Sequence, residues 1–164
     1  MSSFEEEEYA ICMKCGGACC IGAHTPLTGE QRRVIEEMLG TDHCFEYAGY
    51  MRLKCYEDGR CILLDQGRCR VNSHKPETCL AGPFTFGVRD GVIDIFLKKK
   101  SICPLVAYLE SNRKAYEEQF ALAVRSIRRL VSRLSDAEIG VINTIDEPET
   151  EKVAEIPHPA REME

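Results

Sequence analysis

Four cysteines lie close together near the start of the chain, in the stretch CMKCGGACC, which contains Cys12, Cys15, Cys19 and Cys20. A thiolate is a soft, negatively charged ligand for zinc, copper and iron–sulfur clusters. Single cysteines often pack in a core as small apolar side chains, but four of them within nine residues are too dense for that role. The stretch therefore predicts a soft metal held by cysteine thiolates.

Six further cysteines follow in the chain: Cys44, Cys55, Cys61, Cys69, Cys79 and Cys103. Three of them, Cys61, Cys69 and Cys79, fall in the segment CILLDQGRCRVNSHKPETC. The histidines form no paired ligand set with them: His24, His43, His74 and His158. A site made of thiolates alone favours an iron–sulfur cluster, although zinc also accepts four cysteines. The spacing of the cysteines does not separate these two alternatives.

Cys19 and Cys20 are adjacent in the chain. Adjacent side chains tend to point in different directions, so we do not expect one tetrahedral ion to use both. The pair either serves two metal positions or divides between binding and packing. Eight cysteines would supply two four-thiolate sites, or one cluster with a second metal, and two cysteines would remain as buried side chains.

The composition excludes several classes of function. The net charge of -6 argues against nucleic acid as a partner, because phosphate binding needs a basic surface. No apolar run approaches the roughly 18 residues of a membrane span. The start MSSFEEEEY lacks the basic and apolar stretches of a secretory signal, so we expect a cytoplasmic protein whose thiols stay reduced.

We find no motif of a hydrolase, kinase or dehydrogenase, assign no catalytic residue and do not favour an enzyme.

Local signals place the cysteines between short elements. Thr28 and Gln31 have the spacing of a capping box, and Gly40 is a typical C-terminal stop, so we predict a helix between them. Residues 45–71 contain short runs in which apolar and polar residues alternate, and we predict short strands there. The runs FTFGV and VIDIFL flank Arg89-Asp90-Gly91 and predict a hairpin. Together these pieces predict a small antiparallel sheet.

Apolar residues recur at helical spacing from Leu105 to Leu134, after Pro104. We predict a long amphipathic helix, with an interruption near Asn112, and a further short helix after Ser135. The long helix has a basic face formed by Arg113, Lys114, Arg125, Arg128, Arg129 and Arg133. This face is either solvated, or it is a docking surface for an acidic protein partner or for the chain's own acidic ends.

We therefore predict an α+β fold, a small cysteine-rich domain stabilised by metal, with a short antiparallel sheet and a long C-terminal amphipathic helix. The predicted organisation is an acidic flexible N-terminus at 1–10, the metal-binding domain with its C-terminal helix at 11–145, and an acidic flexible tail at 146–164. The oligomeric state is not predicted.

The cysteine motifs together resemble the YkgJ-like cysteine-cluster (CxxCxxCC) family, a proposed zinc- or iron-chelating domain. The resemblance covers about residues 12–104 and rests on CMKCGGACC, on LTGEQ, and on the order Cys61, Cys69, Lys75-Pro76, Cys79 and Cys103-Pro104. The chain differs in one extra residue between Cys15 and Cys19, and in a lysine where the family usually has arginine. The resemblance implies eight ligands: Cys12, Cys15, Cys19, Cys20, Cys61, Cys69, Cys79 and Cys103.

The expected function is metal binding, with an iron–sulfur cluster on cysteine thiolates in a small electron-transfer or accessory module. One alternative is a zinc-stabilised interaction protein. Another is a metal-dependent transferase or oxidoreductase that works with a partner. Cys44 and Cys55 stay open as ligands or core residues.

Overall fold

The computed structural model describes residues 3–145 and 149–159 and shows an α+β fold, as predicted. Its helices are α1 (Ser3–Cys15), α2 (Gly29–Leu39), α3 (Glu77–Ala81), α4 (Pro104–Ser111), α5 (Arg113–Ser132) and α6 (Asp136–Ile142). Its strands are β1 (Phe45–Tyr47), β2 (Met51–Leu53), β3 (Leu64–Asp65), β4 (Arg68–Cys69), β5 (Phe84–Arg89), β6 (Val92–Lys98) and β7 (Thr150–Pro157). None of the described helices is long and apolar enough to cross a membrane.

The largest sheet is antiparallel, with the strand order β5-β6-β7. Strands β5 and β6 form the predicted hairpin, in which Arg89 faces Val92 across a two-residue turn. Asp90 and Gly91 have φ angles of 45° and 76°, which is the backbone that a tight hairpin turn requires. The other two sheets are short two-stranded pairs, β1-β2 and β3-β4.

The tail differs from the prediction of a flexible segment. Residues 150–157 form β7, which pairs along β6 from Lys98 to Val92. Ala154 and Ile156 pack against the main core, and Lys152 contacts Asp94 on the neighbouring strand at 3.5 Å. Side chains of a strand alternate between its two faces, so only every second residue of an edge strand faces inward. Because most residues of the tail are charged, this alternation is not apparent from its composition. Residues 146–148 and 160–164 lie outside the described part.

The acidic N-terminus is also more regular than predicted. The helix α1 begins at Ser3 and runs through the first two cysteines to Cys15. It packs along α4, and its Ile11 contacts the main core. The contact with the core comes from Ile11, whereas Glu6, Glu7 and Glu8 stay exposed or half-buried.

The predicted helical region divides into three helices. Asn112 separates α4 from α5, and its Oδ1 accepts a hydrogen bond from the Ala115 backbone N–H at 3.2 Å. Ser135 and Glu138 form the second capping box, which begins α6. The prediction of a long C-terminal helix is not confirmed, because the 20-residue α5 lies mid-chain and α6 and β7 follow it.

Two hydrophobic cores support these elements. The main core lies between the three-stranded sheet and helices α4 and α5, with the fully buried Phe84 against the rings of Tyr116 and Phe120 at 5.5 Å each. The second core lies under α2 and the short strands, and it contains Cys44 and Cys61. The cysteine-bearing loops therefore rest on both cores.

Ion pairs join α2 to α5. Glu30 Oε2 accepts hydrogen bonds from Arg133 Nη1 at 2.6 Å and from Arg129 Nη2 at 3.2 Å. The two arginines lower the pKa of Glu30 below its usual 4.5. Part of the basic face of α5 is thus used within the chain, against α2.

We expect acid to weaken this junction. A carboxyl group whose pKa is lowered on folding stabilises the protein above its unfolded pKa, and this contribution is lost as the pH falls through the folded pKa. The free energy of unfolding should therefore fall more between about pH 6 and about pH 3.5 in the wild type than in Glu30→Gln. Glu37→Gln, on the exposed side of α2, should keep the wild-type pH profile. Identical profiles for Glu30→Gln and the wild type would contradict the role of the pair.

Candidate metal centre

The opening cysteine motif begins on the last turn of α1. Cys12 and Cys15 are three residues apart on this helix, so they share one face. The helix ends after Cys15 because Gly16 and Gly17 take φ angles of 73° and 86°, a left-handed backbone that glycine adopts readily. Gly16 N–H donates to the Cys12 carbonyl at 3.3 Å and closes the turn.

A short 3-10 turn, Ala18–Cys20, carries the second half of the motif. Its carbonyl at Cys20 accepts a hydrogen bond from the Cys61 backbone N–H at 2.7 Å. A second bond runs from Gly22 N–H to the Gly59 carbonyl at 2.7 Å. The backbone itself therefore brings the two distant cysteine blocks together.

The remaining predicted ligands lie on four separate local structures. Cys61 precedes the β3-β4 hairpin, in which Cys69 faces Leu64. Cys79 lies in the short helix α3, and Cys103 is the N-cap residue of α4. Each sits at the end of an element or in a short one, where a side chain can turn toward a shared centre.

One group of thiols surrounds Cys12. The pKa of Cys12 is raised to about 11, mainly by partial desolvation of its sulfur and also by the neighbouring thiols Cys19, Cys103 and Cys15, while Lys75 lowers it. Burial also raises the pKa of Cys103, and Cys19 contributes to that increase. We call these four residues the first thiol set: Cys12, Cys15, Cys19 and Cys103.

A second group surrounds Cys79. The pKa of Cys79 is raised to about 12, mainly by crowding by protein atoms and also by the thiols Cys69, Cys19 and Cys61. The residue still presents an exposed face, so it lies at the rim of the group. Burial likewise raises the pKa of Cys61, and Cys69 adds to it. We call these four residues the second thiol set: Cys20, Cys61, Cys69 and Cys79.

The adjacent pair Cys19-Cys20 joins the two sets. A hydrogen bond from the Cys20 thiol lowers the pKa of Cys19 to about 6, with help from Lys98 and Lys75. The same bond and burial raise the pKa of Cys20, and its next neighbours are Cys79 and Cys61. Cys19 also contributes to the raised pKa of Cys79, so both adjacent cysteines lie near members of the second set.

The donor chemistry of both sets fits a soft metal, since thiolates are the ligands that zinc and iron–sulfur clusters use. Within residues 3–145 and 149–159, however, no three His, Cys, Asp or Glu side chains already stand in a geometry that holds a metal ion. Thiolates repel one another without a cation between them, so metal binding and closure of such a site are coupled. The eight ligands stay a prediction from the resemblance.

Two lysines belong to this environment, and the sequence analysis did not identify them. The positive charge of Lys75 lowers the pKa values of Cys12, Cys19 and Cys79, and that of Lys98 lowers the pKa values of Cys19 and Cys103. Lys75 precedes Pro76 within the second cysteine block, which was a usable signal. Lys98 belongs to a run of three lysines at the end of β6, and nothing in the run distinguishes it.

Outside the two sets, Cys44 and Cys55 both lie near Cys61 and contribute to its raised pKa. Cys44 is 4% exposed within the second core, and Cys55 is half-buried and pairs with Cys61 across an isolated bridge. His24 contacts Arg52, with 3.3 Å between its Nδ1 and the arginine Nη1. His74 contacts its neighbour Ser73 at 3.0 Å. An open depression of about 590 Å³ is lined in part by Cys69 of the second set.

Gly17 is the position in the opening loop where a side chain should be least tolerated. A Cβ atom there would lie 2.7 Å from Leu64 Cδ1, and Leu64 is itself buried in the second core. Gly16 has a similar φ of 73°, but a Cβ there would meet nothing within 4 Å. We expect Gly17→Ala to lower the free energy of unfolding more than Gly16→Ala, as measured by denaturant titration. Equal losses would mean that backbone strain alone acts at both positions.

Comparisons with known proteins identify the family of the chain. The search of curated proteins finds no match, and neither does the search of solved structures. A family model, CxxCxxCC, described as "Putative zinc- or iron-chelating domain", matches residues 11–104, which is more than half of the chain. This membership supports metal binding in general terms, without selecting the metal. The chain belongs to the CxxCxxCC family.

Proposed function

We propose that this protein carries an iron–sulfur cluster on cysteine thiolates, with a second metal position beside it, and acts as a small electron-transfer or accessory module. The observation that carries the proposal is the backbone hydrogen bond from Cys61 N–H to the Cys20 carbonyl at 2.7 Å, which brings the two cysteine blocks together. Each set offers four thiolates, which is the number that a cubane or binuclear cluster and a structural zinc both use.

The charge around the first thiol set supports the proposal. Four thiolates place several negative charges close together, and nearby cations reduce the electrostatic cost. Lys75 and Lys98 supply these cations next to Cys19. When bound, the cluster would supply one-electron redox chemistry. The cysteines of the chain would hold it, and the lysines would compensate its charge.

The position of the thiols suits exchange with a partner. Cys12, Cys19 and Cys79 are exposed, so the centre lies near the surface rather than deep in either core. A redox centre close to the surface is within reach of a donor or acceptor protein. We infer a partner of this kind, and an acidic one would also find Arg125 and Arg128 exposed on α5.

A zinc-stabilised interaction protein is the second candidate. Four thiolates also form structural zinc sites, and the exposed part of the basic helix face would then be the docking surface. The arginines closest to α2, Arg129 and Arg133, already contact Glu30, which leaves the outer part of the face for a partner. The identity of the bound metal, zinc or an iron–sulfur cluster, distinguishes the interaction protein from the electron-transfer or accessory module.

Metal identity is the first test. We expect protein purified without oxygen to be brown, with broad visible absorption, iron and acid-labile sulfide. A redox-active cluster with all-cysteine ligation would support electron transfer, whereas a vacant or non-cysteine ligand would favour catalysis. A colourless protein that contains only zinc would refute the iron–sulfur proposal and support the interaction protein.

Metal stoichiometry tests the two sets. Cys103→Ser removes a thiol of the first set and Cys79→Ser removes one of the second, so each should lose a different part of the metal content and the double variant should lose all of it. Elemental analysis per chain measures this, with Cys44→Ser as a control that keeps the wild-type content. If either single variant lost every metal, the thiols would form one site and the division would be wrong.

A further inference from the structure

Cys55 and Cys61 face each other on two antiparallel segments. They form an isolated antiparallel bridge, and the backbone hydrogen bonds lie on either side of it. Tyr56 N–H donates to the Arg60 carbonyl at 2.8 Å, and Ile62 N–H donates to the Lys54 carbonyl at 3.0 Å. The two cysteines exchange no backbone bond with each other. They therefore occupy a non-hydrogen-bonded pair position.

This position brings two side chains unusually close. Directly opposed residues in such a pair have Cα atoms about 4.5 Å apart. Disulfides span Cα separations of roughly 4.4–6.8 Å, so two cysteines at this position can be bridged with little backbone movement.

The turn that joins the pair is held by its own contacts. Arg60 Nε donates to Asp58 Oδ2 at 2.8 Å, and the Arg60 guanidinium lies 4.9 Å from the centre of the Tyr56 ring. Gly59 N–H donates to the Tyr56 carbonyl at 2.9 Å. The register of Cys55 and Cys61 is thus set locally.

Cys44 does not compete for the same position. Lys54 N–H donates to the Cys44 carbonyl at 2.9 Å, so the β1-β2 register places Cys44 opposite Lys54 rather than opposite Cys55. Cys44 is also more deeply buried than Cys55. Of the thiols outside the two sets, Cys55 is the one with a direct cross-strand cysteine partner.

We propose that Cys55 and Cys61 form a reversible disulfide, and that its formation withdraws Cys61 from the second thiol set and releases the metal held there. The disulfide stands on the backbone register alone. The metal release rests on the proposed function. The oxidant is a small-molecule disulfide, RSSR, of the kind that thiol buffers contain.

The exchange is balanced in atoms and electrons. The half-buried Cys55, as a thiolate, attacks one sulfur of RSSR, forms a mixed disulfide and expels RS⁻. Cys61 sulfur then attacks the Cys55 sulfur, forms the protein disulfide and expels the second RS⁻. Two electrons pass from the cysteine pair to RSSR, and the two thiol protons end on the two RS⁻ groups. Cys61 no longer has a thiolate to donate to a metal.

The test uses the full-length protein as purified, treated with glutathione disulfide. Free thiols are then alkylated, and the chain is digested with trypsin, which cleaves after Lys54, Arg60 and Arg68. Cys55 and Cys61 fall on different peptides, CYEDGR and CILLDQGR, with one cysteine each. We expect these two peptides to be the predominant linked pair in mass spectrometry. Their recovery as separate alkylated peptides, or a link from Cys61 to Cys44 or Cys69 instead, would overturn the proposal.

Variants connect the link to the metal. Cys55→Ser should lose the linked pair and keep its metal under the same treatment, whereas Cys44→Ser should behave as the wild type in both respects. If wild-type protein forms the link but binds no metal before treatment, the proposed function fails and the disulfide stands. If metal-loaded protein forms no link, or Cys55→Ser releases metal as readily as the wild type, the inference fails and the proposed function stands.

Discussion

The electrostatic cost of ionising neighbouring cysteine thiols is the constraint on which the candidate site depends. The pKa values of Cys12, Cys79 and Cys103 are raised mainly because burial disfavours the thiolate, and neighbouring thiols oppose ionisation further. Such a group is stable in the reduced, protonated form, or with cations that replace the protons. Lys75 and Lys98 provide part of this compensation, and they favour ionisation first at Cys19.

The fold positions the thiols through backbone contacts more than through side-chain packing. The bond from Cys61 N–H to the Cys20 carbonyl joins two blocks of the chain about forty residues apart. The left-handed glycines after Cys15 end α1 and direct the 3-10 turn toward this contact. The loops can therefore be short and irregular while their cysteines stay in one neighbourhood. Several of the thiols nevertheless keep an exposed face.

Sequence reasoning succeeded where the signal is local. Thr28 and Ser135 begin helices as predicted, because a cap depends on residues three positions away. The hairpin at Asp90-Gly91 follows from a turn that needs positive φ. The acidic ends were predicted to be flexible because charged residues dominate their composition. Composition does not show on which side of a helix or strand the few apolar residues fall. A helix and an edge strand need only one buried side each, and Ile11 and Ile156 provide it.

The amino-acid sequence by itself determined the kind of chemistry: ten cysteines, no paired histidines and a family motif predict thiolate ligands for a soft metal. It also left open how Cys19 and Cys20 divide. Only the tertiary structure decided the approach of Lys75 and Lys98 to Cys19 and the pairing of Cys55 with Cys61. The physical reason is that each depends on hydrogen-bond register or on charges brought together from distant parts of the chain, and residue spacing carries no record of either.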